Sequence, residues 1–153
     1  MNKYRKGVGI FLLNDQKKLW VGERIDFKSN FWQMPQGGID RNELPEEAMR
    51  RELMEEVGLK ENYEILEETK NWLKYDLPQE LVGIVWNGKY FGQEQKWFAC
   101  KFFGDDQEIK LDCHKPEFKD WKWIEPSRSL DLVVPFKRNL YVQILQDFKK
   151  FYT

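Results

Sequence analysis

Apolar positions along this chain mostly alternate or fall in short runs, and they take up helical spacing in only two long stretches. Val8 to Leu13 and Leu19 to Glu23 have the pattern of strands, and Asn14-Asp15-Gln16 between them is a hairpin signal. Phe31 to Met34, Tyr63 to Glu67, Asn71 to Tyr75, Glu94 to Phe103 and Trp121 to Ile124 read as further strands. Asp26 to Asn30 is polar and loop-like. Pro78 to Gly92 shows no clear period and holds a Trp86-Asn87-Gly88 turn signal. Met49, Leu53 and Val57, spaced four apart, put one apolar stripe on a helix over Pro45 to Val57. Phe136, Leu140, Ile144 and Phe148 do the same for a long helix over Pro135 to Tyr152, and Ser127 to Val133 is compatible with a short helix. Strands surrounding one early and one terminal helix predict an α/β fold with helices on both faces of a mixed sheet.

The early helix carries the chemistry. Glu52, Glu55 and Glu56 stand at i, i+3 and i+4, so their carboxylates converge on one face. Like charges so placed oppose one another, and a hard divalent cation with oxygen ligands is the natural compensation. Pro45 suits the first helical turn, Glu46 and Glu47 meet the positive end of the helix dipole, and Gly58 can take the left-handed conformation that stops the helix. The apolar stripe faces the core and aims the acidic face at a cleft.

Composition narrows the picture. A length of 153 residues suits a single domain, 1–153, with its own core. The net charge of −1 excludes binding of polyanions by bulk charge alone, so any nucleic-acid contact needs a local cluster of Lys and Arg. Seven Trp are expected mainly in the core, with one or two free to stack on bases. His114 is the only histidine, which excludes multi-histidine metal sites. Cys100, in an apolar run, is expected to be a buried thiol. Cys100 and Cys113 do not have metal-site spacing, and no secretory leader is visible, so a reducing cytoplasm is the expected compartment.

The segment Gly37 to Leu59 resembles the Nudix box, G-x5-E-x7-R-E-U-x-E-E-x-G-U with U aliphatic. Gly37, Glu43, Arg51, Glu52, Leu53, Glu55, Glu56, Gly58 and Leu59 fill all nine specified positions. Trp32-Gln33-Met34-Pro35-Gln36-Gly37-Gly38-Ile39 resembles the lead-in of the bacterial RNA pyrophosphohydrolases and dinucleoside polyphosphate hydrolases. So do Tyr4-Arg5, Asn71 to Tyr75, Gly92 to Phe98, Pro116-Glu117-Phe118 and Val134 to Arg138, nearly end to end and in order. The departures are a longer loop around Asp26 to Asn30 and Arg41-Asn42 in place of the common Pro-Gly.

The resemblance implies an α/β/α sandwich and a metal-dependent hydrolase, with two or more Mg2+ or Mn2+ ions. It implies cleavage of a pyrophosphate bond in a 5′-triphosphorylated RNA end, or alternatively in a dinucleoside polyphosphate. A non-catalytic nucleotide- or RNA-binding module is the remaining reading, against which the complete set of glutamates argues. Carried over by position, the resemblance makes Glu52 and Glu56 the core metal ligands, joined by Glu55, by the loop residue Glu117 and by the Gly37 carbonyl. Arg51 orients a box glutamate, and Glu43 supports loop and helix. The general base lies among Glu55, Glu56 and Glu117. Arg5, Lys137 and Arg24 are expected to face the polyphosphate, and Phe136 is expected either to stack on a base or to pack within its helix. Gln95 and Lys96 have no assigned role. No protein partner is implied.

Overall fold

The computed structural model describes residues 3–26 and 30–153. Its centre is β1 (Tyr4–Leu13), which is buried on both faces from Gly7 onward. Alternate residues feed different cores. Ile10 and Leu12 pack with Met49, Leu53 and Val57 on one side, while Phe11 and Leu13 pack with Leu140, Tyr141 and Ile144 on the other. A strand with apolar residues on both faces must be covered twice, and that requirement produces the three-layer architecture.

The chain continues through β2 (Leu19–Arg24), β3 (Trp32–Gln33), β4 (Gln36–Gly38), α1 (Pro45–Val57), β5 (Tyr63–Glu68), β6 (Leu73–Asp76), β7 (Gly92–Phe102), β8 (Phe118–Ile124), α2 (Ser129–Leu132) and α3 (Arg138–Asp147). The main sheet order is β3-β2-β1-β7-β5, with β4 paired to β1, β6 to β7 and β8 to β2. β1 and β7 run parallel, from Tyr4 opposite Gly92 to Leu13 opposite Lys101. The other pairs are antiparallel, so the sheet is mixed as expected. Among the described residues no helix is long and apolar enough to cross a membrane.

Three local expectations change. The glycine segment before the box is itself a strand, β4, because Gln36, Gly37 and Gly38 pair with Gly9, Val8 and Gly7. The terminal helix is shorter than its apolar stripe: α3 runs only from Arg138 to Asp147, with 3-10 turns at Pro135–Lys137 and Lys149–Phe151. Phe148, at φ −108° and ψ 15°, leaves helical geometry and seats its ring 5.4 Å from Phe11. Only Trp20 and Trp97 are fully buried, whereas Trp32, Trp72, Trp86, Trp121 and Trp123 are half-buried at the edges of the cores. Residues 27–29 of the loop from Asp26 to Asn30 lie outside the described residues. Cys100 is a buried free thiol, and burial pushes its pKa up to about 12.

α1 starts and stops where its sequence says. The Leu44 N–H donates to Glu47 Oε1 (2.9 Å) ahead of Pro45. Gly58 ends the helix at φ 82°, and its N–H donates to Met54 O (3.0 Å). A Cβ there would also meet Lys110 O at 2.6 Å. Gly58→Ala should therefore cost about 1–2 kcal/mol from the left-handed backbone alone, with the collision adding to it. Urea denaturation of the variant should show a lower midpoint with an unchanged slope, and an equal midpoint would contradict this account.

Candidate active site

Arg51 organises the acidic face of α1. Its Nε donates to Glu43 Oε2 (2.8 Å) and its Nη2 to Glu43 Oε1 (3.0 Å), a two-pronged pair. Nη2 also donates to Gly38 O (2.9 Å), which ties the helix to β4. Nη1 donates to Glu52 Oε1 (2.8 Å) and Glu55 Oε2 (3.2 Å). The bond from Arg51 holds the Glu43 carboxyl below its usual pKa. Glu43 Oε1 also accepts from the Asp40 N–H (2.9 Å), so Glu43 fixes the loop and the arginine together.

Glu52 reaches the strand because glycine lets it. A Cβ on Gly37 would lie 2.1–2.4 Å from the Glu52 carboxylate. Glu52 and Glu56 are each only 9% exposed. Burial, partly offset by Arg51, raises the Glu52 pKa. Burial first, then the charges of Glu52 and Glu117, pushes Glu56 well above the carboxylate range. Glu56 Oε2 is buried with no hydrogen-bond partner. A carboxylate oxygen so placed is costly unless something positive meets it.

These two glutamates form one side of a cavity of about 410 Å³. Its other sides bring together residues from across the sequence. Arg5 comes from β1 and Arg24 from the end of β2, while Phe136 and Lys137 come from the turn before α3. Glu117, the residue before β8, lies 3.9 Å from Arg24, and its backbone carbonyl accepts from the Ile25 N–H (3.1 Å). A β-bulge brings it there: Glu23 pairs with Asp120 and Arg24 with Phe118, leaving Lys119 as the extra residue. Gly37 also lines the cavity. Glu55 is not among the lining residues, because it faces Arg51 and lies 3.8 Å from His114. Among the described residues no three His, Cys, Asp or Glu side chains are grouped closely enough to hold a metal ion as they stand. The geometry gives the reason: Arg51 draws Glu52 and Glu55 to itself, while Glu117 sits beside Arg24.

Lys137 is buried, donates to Gln33 Oε1 (3.2 Å) and stands 5.2 Å from the centre of the Tyr75 ring. Burial first, then the Arg24 charge, lowers its pKa to about 7. Phe136 packs 6.0 Å from Tyr75 and also borders the cavity, so its two expected roles are compatible.

Tyr75, Gln93, Gln36, Asp26 and Trp86 also line the cavity, although none of them is among the site residues expected from the sequence. Gln93 belongs to a buried chain of hydrogen bonds. Trp97 Nε1 donates to Gln95 Oε1 (2.8 Å), Gln95 Nε2 donates to Gln93 Oε1 (2.8 Å), and the Tyr75 hydroxyl donates to the same oxygen (3.1 Å). An indole can only donate. It therefore fixes which end of Gln95 faces it, and Gln95 in turn fixes Gln93. Gly7 and Gly9 make room, since a Cβ would lie 2.3 Å from Gln93 and Trp97 respectively. Gln95 thus acts within the fold. Lys96 turns away to donate to Thr69 O (2.9 Å) and Lys70 O (2.8 Å). Tyr75 and Gln93 fall within the segments Asn71 to Tyr75 and Gly92 to Phe98, which carried the family resemblance, so a signal for them was present.

A three-layer α/β fold with a glycine-strand-led acidic helix defines the class, and the chain belongs to the NUDIX domain family, whose model matches residues 3–144. It is 48% identical over 146 residues to an RNA pyrophosphohydrolase of Pelagibacter ubique (strain HTCC1062), covering 95% of this chain and 92% of that protein. It is 46% identical over 146 residues to an RNA pyrophosphohydrolase of Dinoroseobacter shibae, covering 95% and 91%. Among solved structures, the E. coli dihydroneopterin triphosphate pyrophosphohydrolase shares the fold with a TM-score of 0.74 at 19% identity, covering 95% of this chain and 99% of that one.

The depressed pKa of Lys137 has a thermodynamic signature. Between about 7 and the ordinary 10.5, the unfolded chain binds the proton that the folded one has released. Stability contributed at this site should therefore rise with pH across that window and be lost as pH falls back through it. Lys137→Met removes the dependence. Denaturation free energies of the two proteins, measured from pH 7 to 10, should converge in their slopes only after this one term is subtracted. Parallel curves would contradict the buried, proton-poor lysine.

Proposed function

We propose that this chain is a divalent-metal-dependent pyrophosphohydrolase that converts 5′-triphosphorylated RNA ends to 5′-monophosphates. The observation that carries the reading is one cavity lined both by the carboxylates Glu52, Glu56 and Glu117 and by the basic side chains Arg5, Arg24 and Lys137. Such a cavity suits a polyphosphate that itself bridges cations. The names borne by relatives at 46–48% identity support the RNA end as substrate.

The donor set fits Mg2+ or Mn2+. Glu52, Glu56 and Glu117 offer hard oxygens, the Gly37 carbonyl lies on the adjoining strand, and the unpartnered Glu56 oxygen is the place where a cation is wanted. Glu55 would join after leaving Arg51. Bound there, two or more ions would neutralise the phosphate charge and make a water a stronger nucleophile. The chain's own residues do the rest. Arg5, Arg24 and Lys137 hold the phosphate chain in line, and Arg51 keeps the box glutamates aligned. One carboxylate among Glu55, Glu56 and Glu117 takes the proton from the attacking water. The water oxygen bonds to phosphorus, the anhydride P–O bond breaks, and the departing phosphate oxygen leaves with the electron pair. The proposed setting is the cytoplasm, where two unpaired thiols are at home.

A dinucleoside polyphosphate is the second reading, because aromatic rings, Phe136 and Trp86, occur at two places on the cavity wall. Comparing kcat/KM on a 5′-triphosphate RNA and on diadenosine tetraphosphate separates the two. Preference for RNA is expected, and preference for the dinucleotide would overturn the first reading. Glu56→Gln should lower kcat on the preferred substrate by about 10²–10⁴-fold while the protein stays folded. Full activity in that variant would remove Glu56 from the site. Phosphate binding should also return a proton to Lys137. Calorimetry near pH 8 in buffers of different ionisation enthalpy should then report proton uptake that Lys137→Met abolishes.

A further inference from the structure

We propose that Trp86 is a nucleobase platform, the wall on which the base nearest the polyphosphate stacks; this rests on the functional reading above. Residues 77–91 form a strap beside the cavity, closed at its base by Leu77 N–H to Phe91 O (2.7 Å) and Phe91 N–H to Lys3 O (2.8 Å). Leu77, Leu81, Val85 and Trp86 from this strap line the cavity and give it an apolar wall besides Tyr75 and Phe136. Trp86 and Asn87 both have left-handed backbones, at φ 53° and 57°. That conformation is an outlier for an aromatic residue, and such strain persists only where the surroundings hold it. Gly88, at φ 71°, follows and lies close to Gly83. The strained turn is what directs the indole toward the cavity.

There the ring has the partners of a stacking site. The Arg5 guanidinium lies 5.4 Å from its centre, and Tyr90 braces it edge-on at 6.1 Å. Arg5 is itself pressed against β4, where a Cβ on Gly38 would meet its Nη2 at 2.2 Å. One cation thus borders both the indole and the cavity. A phosphate on Arg5 brings its attached base within reach of Trp86. Phe136 and Tyr75 form a separate aromatic wall beside Lys137. The cavity therefore offers one ring to the first base and another to a second, whether that second base follows along an RNA strand or caps the far end of a dinucleoside polyphosphate.

The test compares ligands with and without a base. Binding of adenosine 5′-(β,γ-imido)triphosphate and of inorganic tripolyphosphate, both with Mg2+, would be measured by calorimetry on the unmodified protein, Trp86→Ala and Trp86→Phe. Stacking of one base predicts that Trp86→Ala weakens the nucleotide about ten-fold, leaves tripolyphosphate unchanged, and is largely rescued by Trp86→Phe. On triphosphate RNA and on diadenosine tetraphosphate the same loss should appear in KM with kcat preserved. Equal weakening of both ligands, or no change in either, would overturn the platform. Failure of the unmodified protein to hydrolyse triphosphate RNA would overturn the functional reading instead, and would leave the binding comparison intact.

Discussion

The site depends on holding like charges together beside a sheet, where burial leaves solvent only part of the screening. Arg51 makes that arrangement possible. One guanidinium satisfies Glu43 with two prongs, touches Glu52 and Glu55, and anchors on the Gly38 carbonyl. Its planar, always-charged fork suits this, where a lysine could meet only one or two of these acceptors in a comparable geometry. Glu56 lies beyond its reach and keeps an oxygen without a partner. The helix is thus compensated at one end of its acidic face and left in deficit at the other.

The deficit has value because the surroundings are rigid. α1 is pinned by a dry core, with Met49, Leu53 and Val57 fully buried, and its end is fixed by the left-handed Gly58. The opposite wall is held by the chain of amides and hydroxyl from Trp97 to Tyr75. Neither wall can relax easily to relieve Glu56 or to solvate Lys137. Two perturbed groups of opposite type therefore persist in one cavity, as groups of this kind cluster at functional sites and also occur in structural ion-pair networks.

Much of this was legible in the chain. Helix α1 and its acidic face follow from spacing, and the strands follow from period and turn residues. Sequence similarity, more than any local pattern, pointed to Glu117, Arg5, Arg24 and Lys137, which lie far apart along the chain. Other features were hidden for physical reasons. The glycines of β4 carry no side-chain period, so a strand made of Gln36, Gly37 and Gly38 gives no signal until its partner β1 is known. The stripe from Phe136 to Phe148 marks which residues are buried, and buried residues on a 3-10 turn look the same as those on a helix. Trp86 sits in a segment without periodicity; the Trp86-Asn87-Gly88 signal marks the turn found there but carries no sign that the indole borders the cavity.

The bulge at Lys119 has a wider consequence. Two residues, Phe118 and Lys119, stand where an unbroken ladder would place one, so the count along β8 falls out of step with the count along β2. Glu117 keeps its side of the sheet because Phe118 stays opposite Arg24, and a chain lacking Lys119 would keep that same pair. What the surplus residue adds is bend and twist, which swing the strand's beginning toward Arg24. The direction of the carboxylate is thus written in the partner strand, and its reach in the one residue that the partner does not answer.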